Sequence, residues 1–457
     1  MLLKKMGLIC IFSIVSFYSH ADIMTAYQAA QNKDYATASE HFQLSANLGH
    51  AKAQNILAQL LSHGAGIDKD PILAYVYFAL ANEQLQTKKS QQAAIAALSR
   101  LNDADKKLAE TKLIEYQKSI GKSALAKDIL PIIASKPFVL SPAKKIASSK
   151  VVSGSEFTVK KIDLSSSILE YDIAPDGSVR DVAVAYSYFA NSKLLQDMVR
   201  STYRLKFATK NTPRYQDNNI QDQRSIWAQR TLNKEAIKEL SRDFYKRIIQ
   251  LERLAQEGNA NAQYELAMYI IAFPALSTNQ SVAVDYIKKA AKSGHSKAAA
   301  EYAYYLFKGK GVKQDFAKGV TFLVNAAQGA DSRGQYRLAR EFLSGNIIQK
   351  DTEKALFWLK QAAKAGDKNA EFWLARTLLE QTTSAPEDLE QAYELLNKTK
   401  KPQEANPNWY YALSKFHLKK NDNASAMTVL IEAISLAQDL KWQIADWQSE
   451  LALLRNP

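Results

Sequence analysis

Lys310 stands between two glycines in GKGVKQD, residues 309–315, a grouping that could turn backbone amides toward a phosphate. Phosphate cradling of that kind needs the longer G-x-x-x-x-G-K-[ST] spacing after a strand, and here a helical pattern precedes Gly309. The seven residues therefore read as a turn between helices. His50 and His295 each follow a glycine directly, so repetition accounts for both without a bound metal. His41, His63 and His417 lack the H-E-x-x-H spacing that sets two imidazoles toward zinc. Acidic residues are plentiful, yet they fall on solvated helix faces, and no nucleophile elbow or triad context accompanies them. Cys10 is the single cysteine and lies in the N-terminal apolar run. A mature chain without it has no disulfide, thiol nucleophile or Cys-ligated zinc. The expectation is a protein that binds other proteins, with no catalytic residues, metal or other cofactor.

The elements that would carry such a surface show a fixed period. Ala290, Ala326 and Ala362 recur 36 residues apart, and Gly258, Gly294 and Gly366 share a second register in which Ala330 fills the remaining place. Small residues let two helices approach closely, and a glycine ends a helix in the left-handed conformation. Tyr264, Tyr302, Tyr336 and Trp373 fall near corresponding places and fill the space between hairpins. One hairpin cannot bury its apolar face alone, so such units stack into a solenoid. An earlier copy occupies residues 46–81, with Gly64, Gly66 and Asp70 matching the turn. These residues resemble the Sel1-like repeat, a relative of the tetratricopeptide repeat, whose pattern includes A-x-x-G and a G-x-G-V-x-x-D loop. GKGVKQD gives that loop in full, whereas SGNIIQKD (344–351) and FPALSTNQ (273–280) depart from it. The resemblance implies an adaptor that binds proteins and brings no catalytic residues.

A different pattern interrupts the helices. Three prolines and several serines and lysines between 131 and 157 suit an extended linker. Leu169, Tyr171 and Ile173 then alternate with Glu170 and Asp172, as a half-buried strand demands. Pro175 and Gly177 suit a hairpin turn, and Val182, Val184 and Tyr186 form the apolar face of the return strand. Asn191 or Ser192 can cap a helix with Leu195, Met198, Val199 and Thr202 on one side and Lys193, Asp197, Arg200 and Arg204 on the other. Residues 221–232 can supply a third strand. This order resembles the C-terminal domain of TonB energy transducers. Gly177, Val179, Asp181, Val182, Val184 and Ser187 match its hairpin, Leu195 and Val199 its helix, and Lys206-Phe207 the segment after it. The proline expected after Phe207 and the Tyr-Pro pair before the first strand are missing. The resemblance implies a protein-binding surface made by Val182, Val184, Tyr186, Arg200, Arg204, Phe207, Ile226 and Trp227. It also implies TonB-dependent transporters or motor-complex components as partners.

The predicted organisation follows: a signal peptide at 1–21, a Sel1-like helical region at 22–130, a linker at 131–157 and a TonB-like α+β domain at 158–232. A Sel1-like array at 233–380 and tetratricopeptide-like hairpins at 381–457 complete a mainly α fold. Lys4 and Lys5 precede an apolar run from Met6 to Tyr18, and Ser19-His20-Ala21 has the small residues of a cleavage site. Ser16 and His20 reproduce the S-x-x-x-H spacing of the TonB membrane helix, but Asp22 follows where that family continues with apolar residues. The predicted location is the periplasm, with an inner-membrane anchor as the alternative if the segment is retained. The net charge of +14 favours an anionic neighbour, and in the envelope that is a protein or a wall polymer rather than nucleic acid. An energy transducer and a polymer-binding protein or hydrolase are the other readings the sequence leaves open.

Overall fold

The computed structural model describes residues 22–138, 145–147, 165–208, 216–225, 234–277, 279, 281–383 and 385–455. Helices predominate, and they divide into two units. The first unit contains α1 (Ile23–Gln31), α2 (Tyr35–Asn47), α3 (Ala51–His63), α4 (Pro71–Leu85), α5 (Lys88–Ser99) and α6 (Asp103–Ile120). Each of these starts on a residue whose side chain accepts an amide of its first turn: Asp22, Asp34, His50, Asp70, Thr87 and Asn102. Such caps satisfy amides that a helix N-terminus otherwise leaves without partners. The core runs through fully buried Ala26, Ala38, Ala53, Ala58 and Ala81, with Phe42, Leu57 and Tyr77 filling the spaces between the close-packed backbones.

The second unit contains the remaining elements. It begins with α7 (Lys122–Asp128), β1 (Lys145–Ala147), β2 (Ser166–Ile173), β3 (Val179–Tyr188), α8 (Ser192–Tyr203), β4 (Lys206–Phe207), β5 (Gln216–Ser225) and α9 (Lys234–Leu240). The repeat array follows as α10 (Arg242–Gln256), α11 (Ala260–Ala272), α12 (Ser281–Lys292), α13 (Ser296–Lys308), α14 (Phe316–Gln328), α15 (Ser332–Ser344), α16 (Thr352–Lys364) and α17 (Lys368–Glu380). The chain ends with α18 (Pro386–Gln403), α19 (Pro407–Lys419), α20 (Asn423–Asp439) and α21 (Ala445–Arg455).

Ala290, Ala326 and Ala362 are fully buried at the same place of successive hairpins. Gly258, Gly294 and Gly366 take φ of +92°, +98° and +84°, and Ala330 bears the same turn at +58°. The aspartate of the G-x-G-V-x-x-D loop acts locally, as a cap. Asp70, Asp315 and Asp351 each accept an amide of the following helix's first turn. Gln54, Gln263 and Gln335 each donate Nε2 to the carbonyl eight residues earlier, tying neighbouring helices across the turn.

β2 and β3 form the expected hairpin, and antiparallel β5 lies on the other side of β2, so the sheet order is β3-β2-β5. The third strand thus runs over Gln216–Ser225, upstream of the 221–232 predicted for it. Gly177 carries the turn at φ +76°, and a Cβ there would lie 2.1 Å from the Phe207 carbonyl oxygen. Helix α8 starts on Asn191, whose side chain accepts the Leu194 amide. One face of the hairpin and α8 share a core with α20 and the segment after it: Leu169, Tyr171, Ile173, Val182, Met198 and Tyr203 pack with Leu430, Ile434 and Trp442.

Helix α7 and the start of the predicted linker join this second unit. Trp358 Nε1 donates to Ile129 O at 2.9 Å, and Lys354 Nζ donates to the carbonyls of Ala126 and Leu130. Beyond them Ile133 bridges Ile348 in antiparallel fashion. The loop SGNIIQKD, which departs from the repeat pattern, is therefore the one that grips the extended chain, with Ile347 and Ile348 buried.

Candidate functional site

Every second helix from α11 to α19 turns side chains toward β2 and β3. Arg333, Arg337 and Arg340 follow the i, i+4, i+7 spacing that puts residues on one helical face. Arg376 is the counterpart of Arg340 one repeat later. These four arginines meet carboxylates of the hairpin. Glu170 accepts from Arg333 and, at 2.6 Å, from Arg337, while Arg340 donates to Asp172 at 2.8 Å and Arg376 to Asp181 at 3.1 Å. Glu170 and Asp172 are two apart on β2, so they point to the same side of the strand.

Further polar groups surround these pairs. Asp181 also accepts from Asn406 at 3.1 Å and Asn408 at 2.9 Å. Arg337 donates to Ala300 O at 2.9 Å, and Glu301 lies beneath both Arg333 and Arg337. The Tyr186 hydroxyl meets the Tyr264 hydroxyl at 2.7 Å and donates to Glu301 at 2.9 Å. Trp373 stacks under Arg340, 3.6 Å from its ring centroid, and also faces Arg376, while Arg333 covers Tyr186.

Burial alone would raise the Asp181 carboxyl, but the Arg376 charge and the two asparagine amides hold it below the usual aspartate range. Burial works against the Arg333 charge as well, and Glu170 and Glu301 outweigh it, so the guanidinium stays ionised. Desolvation drives the Tyr186 phenol well above its ordinary value, which keeps it a neutral hydrogen-bonding group. The arrangement seats the chain's own hairpin through paired charges, and it contains buried Glu170 and Asp172 where the alternation predicts a solvated strand face. Both faces of β2 are covered, the second one by the array.

Two irregularities redistribute the predicted binding residues. Ile168 pairs with Tyr186 while Leu169 pairs with Val184, so Ala185 is an extra residue in β3. Such a bulge moves the following side chains to the opposite face. Tyr186 therefore faces the array, whereas Val182 and Val184 pack on the side of α8. A second shift falls beside Asp181, whose φ is +47°. Arg200 pairs with Glu404 at 2.7 Å in an exposed position. Arg204 lines a cavity of about 360 Å³ together with Arg200, Tyr203, Glu404 and Tyr410. Phe207 is buried in the shared core against Tyr171. Ile226 and Trp227 lie outside the described residues, as do residues 1–21. Gly258, Gly294, Gly366 and the three register alanines sit in turns and helix contacts of the array.

The arginine face was not among the predicted residues, although S-R-G-Q-Y-R-L-A-R carries its helical spacing in plain view. The histidines also have a structural explanation. Asn259, His295 and Asp367 hold the same repeat place and each caps the helix after it. His295 Nδ1 accepts the Ala298 amide at 3.2 Å, and His50 does the same for Ala53.

The Sel1 repeat model matches residues 26–50, 51–84, 260–295, 296–331, 332–367 and 368–399, so the chain carries six Sel1 repeats. Among solved structures it is similar to a Sel1 repeat protein from Oxalobacter formigenes, with 27% identity over 28% of this chain and 95% of that one and a TM-score of 0.25. It is also similar to c5321, a protective antigen of uropathogenic Escherichia coli strains with an SLR fold. That match has 16% identity over 92% of this chain and 78% of the other, and a TM-score of 0.36. Yeast Tom70 matches with 15% identity over 95% of this chain and 94% of its own, and a TM-score of 0.27. No curated protein matches the sequence.

Proposed function

We propose that this chain is a periplasmic adaptor: its Sel1 repeats assemble other proteins, and its α+β insert is a TonB-like module serving envelope or outer-membrane transport complexes. One observation carries the adaptor reading. The array holds an extended stretch of polypeptide through Arg333, Arg337, Arg340 and Arg376, which is protein recognition by the face that the repeats present. Helical-hairpin repeats supply such a face without needing a reaction centre.

The TonB-like reading is supported by the hairpin residues Gly177, Val179, Val182 and Val184 and by the strand–strand–helix–strand order of β2, β3, α8 and β5. The periplasmic location is supported by the lysines, apolar run and small residues of the first 21 positions. Among the described residues no helix is long and apolar enough to cross a membrane.

The test is photo-crosslinking in intact cells from exposed positions, Phe189 and Arg200 on the insert and Tyr393 beyond the array, with partners identified by mass spectrometry. Envelope proteins captured from these sites support the adaptor; capture of none overturns it. The N-terminal residue of the native protein separates the two locations. A start at Asp22 supports the exported form, and a retained Met1 supports an anchored energy transducer instead.

A further inference from the structure

Stacking of the repeats does not require the arginines. The places equivalent to Arg340 are filled by Met268, Tyr304 and Arg376, and those equivalent to Arg337 by Glu265, Glu301 and Trp373. Arginine thus appears on this face where the hairpin's carboxylates arrive. The recognition also runs through side chains. β2 pairs along both edges within the sheet and β3 along one, and the array contributes carboxylate pairing, the Tyr186 hydroxyl contacts and a 2.8 Å bond from Ser166 Oγ to Ala272 O. A surface that reads carboxylates at alternate residues of an extended strand, beside apolar contacts to Ile168, Tyr186 and Tyr188, is defined by that chemistry rather than by covalent connection.

We propose that the face formed by α11, α13, α15, α17 and α19 is a recognition site for an extended protein segment of acid-x-acid pattern. In this chain β2 is its resident ligand, with Glu170 and Asp172 as the two acids. A partner that carries the same pattern takes the site by displacing the hairpin. The four arginines give the face its charge complementarity, and the seated hairpin shows the conformation it accepts. This rests on the adaptor reading and adds to it the class of partner and the occupied state of the site.

The experiment uses the full chain and a fluorescent peptide comprising residues 165–189. The E170Q/D172N chain, in which the resident carboxylates are neutral, is expected to bind the wild-type peptide at least about tenfold more tightly than the wild-type chain does. The peptide carrying E170Q/D172N should lose at least about tenfold. A folded variant that takes up both peptides alike, or neither, overturns the proposal. Hydrogen exchange of the wild-type chain decides independently of whether the variant folds. Amides of β2 and β3 should exchange through an opening that leaves α13 and α15 protected. Exchange of strands and helices in one cooperative event overturns displacement. If cells yield crosslinked envelope partners but the peptide is not taken up, the adaptor reading stands and its partners bind elsewhere. If the peptide binds while no envelope partner is captured, the strand site stands without the envelope role.

Discussion

His295 accepts an amide proton with Nδ1, so protonating that nitrogen turns the cap's acceptor into a donor and removes the bond. Burial pushes its pKa down to about 3, with the nearby Lys297 charge adding to the effect. The unfolded imidazole titrates near 6.5. The unfolded state therefore binds the proton first, and this contribution is complete above about pH 6.5 and falls as pH drops toward 3, by at most about 1.4 kcal/mol per unit. Asp367 occupies the same repeat place and slopes the other way. Burial raises its carboxyl to about 6, so between about 4 and 6 the folded state holds the proton and stability rises as pH falls. In urea melts at pH 7, 6, 5 and 4, His295→Asn should lose less stability on acidification than wild type. Asp367→Asn should lose more. Equal pH slopes in all three proteins would remove both assignments. A sequence shows these residues following a glycine, and the capping role becomes legible once Asn259 and Asp367 are aligned with them, since asparagine and aspartate are the usual acceptors there.

Local rules carried the elements further than they carried the contacts between elements. The turn at Gly177, the helix started by Asn191 and the repeat hairpins all follow from short-range chemistry that a linear pattern records. What covers the second face of β2 does not. Alternation of Leu169, Tyr171 and Ile173 with Glu170 and Asp172 tells only that the two faces differ, and a buried ion-pair face has the same spelling as a wet one. The bulges at Ala185 and beside Asp181 add a change of face that a period of two cannot announce. Two predictions belong to this level. Removing one member of the Asp172–Arg340 pair leaves a buried charge without its partner, so Asp172→Ala or Arg340→Ala should each cost about 3–5 kcal/mol. The double variant should cost well under the sum, with coupling above about 1 kcal/mol in a denaturation cycle; additive losses would mean that the pair does not act as a unit. Gly177→Ala forces a left-handed alanine against the Phe207 carbonyl and should destabilise the protein by about 2 kcal/mol or more in the same assay. A smaller loss would mean that the hairpin turn relaxes away from β4.

For the whole molecule the question is where the excess charge resides. The formal net charge is +14, yet Arg333, Arg337, Arg340 and Arg376 are faced by Glu170, Glu301, Asp172 and Asp181, so the arginine face with its hairpin seated is electrically neutral. The excess therefore comes from the remainder of the chain. Exposed charges more than about 8–10 Å apart are screened at physiological salt, whereas buried pairs are screened much less. Binding by surface charge and hairpin docking should then respond differently to ionic strength. Raising sodium chloride from about 0.05 to about 0.5 M, which shortens the Debye length severalfold, should weaken capture of anionic partners and leave hairpin protection nearly unchanged. Crosslinking yield and hydrogen exchange of β2, followed across the same salt series, measure the two responses. A partner whose capture is indifferent to salt would be using apolar contacts instead. Hairpin protection that fell in step with capture would mean that water reaches the arginine pairs, and that the face exchanges its ligand in the same motion that admits a partner.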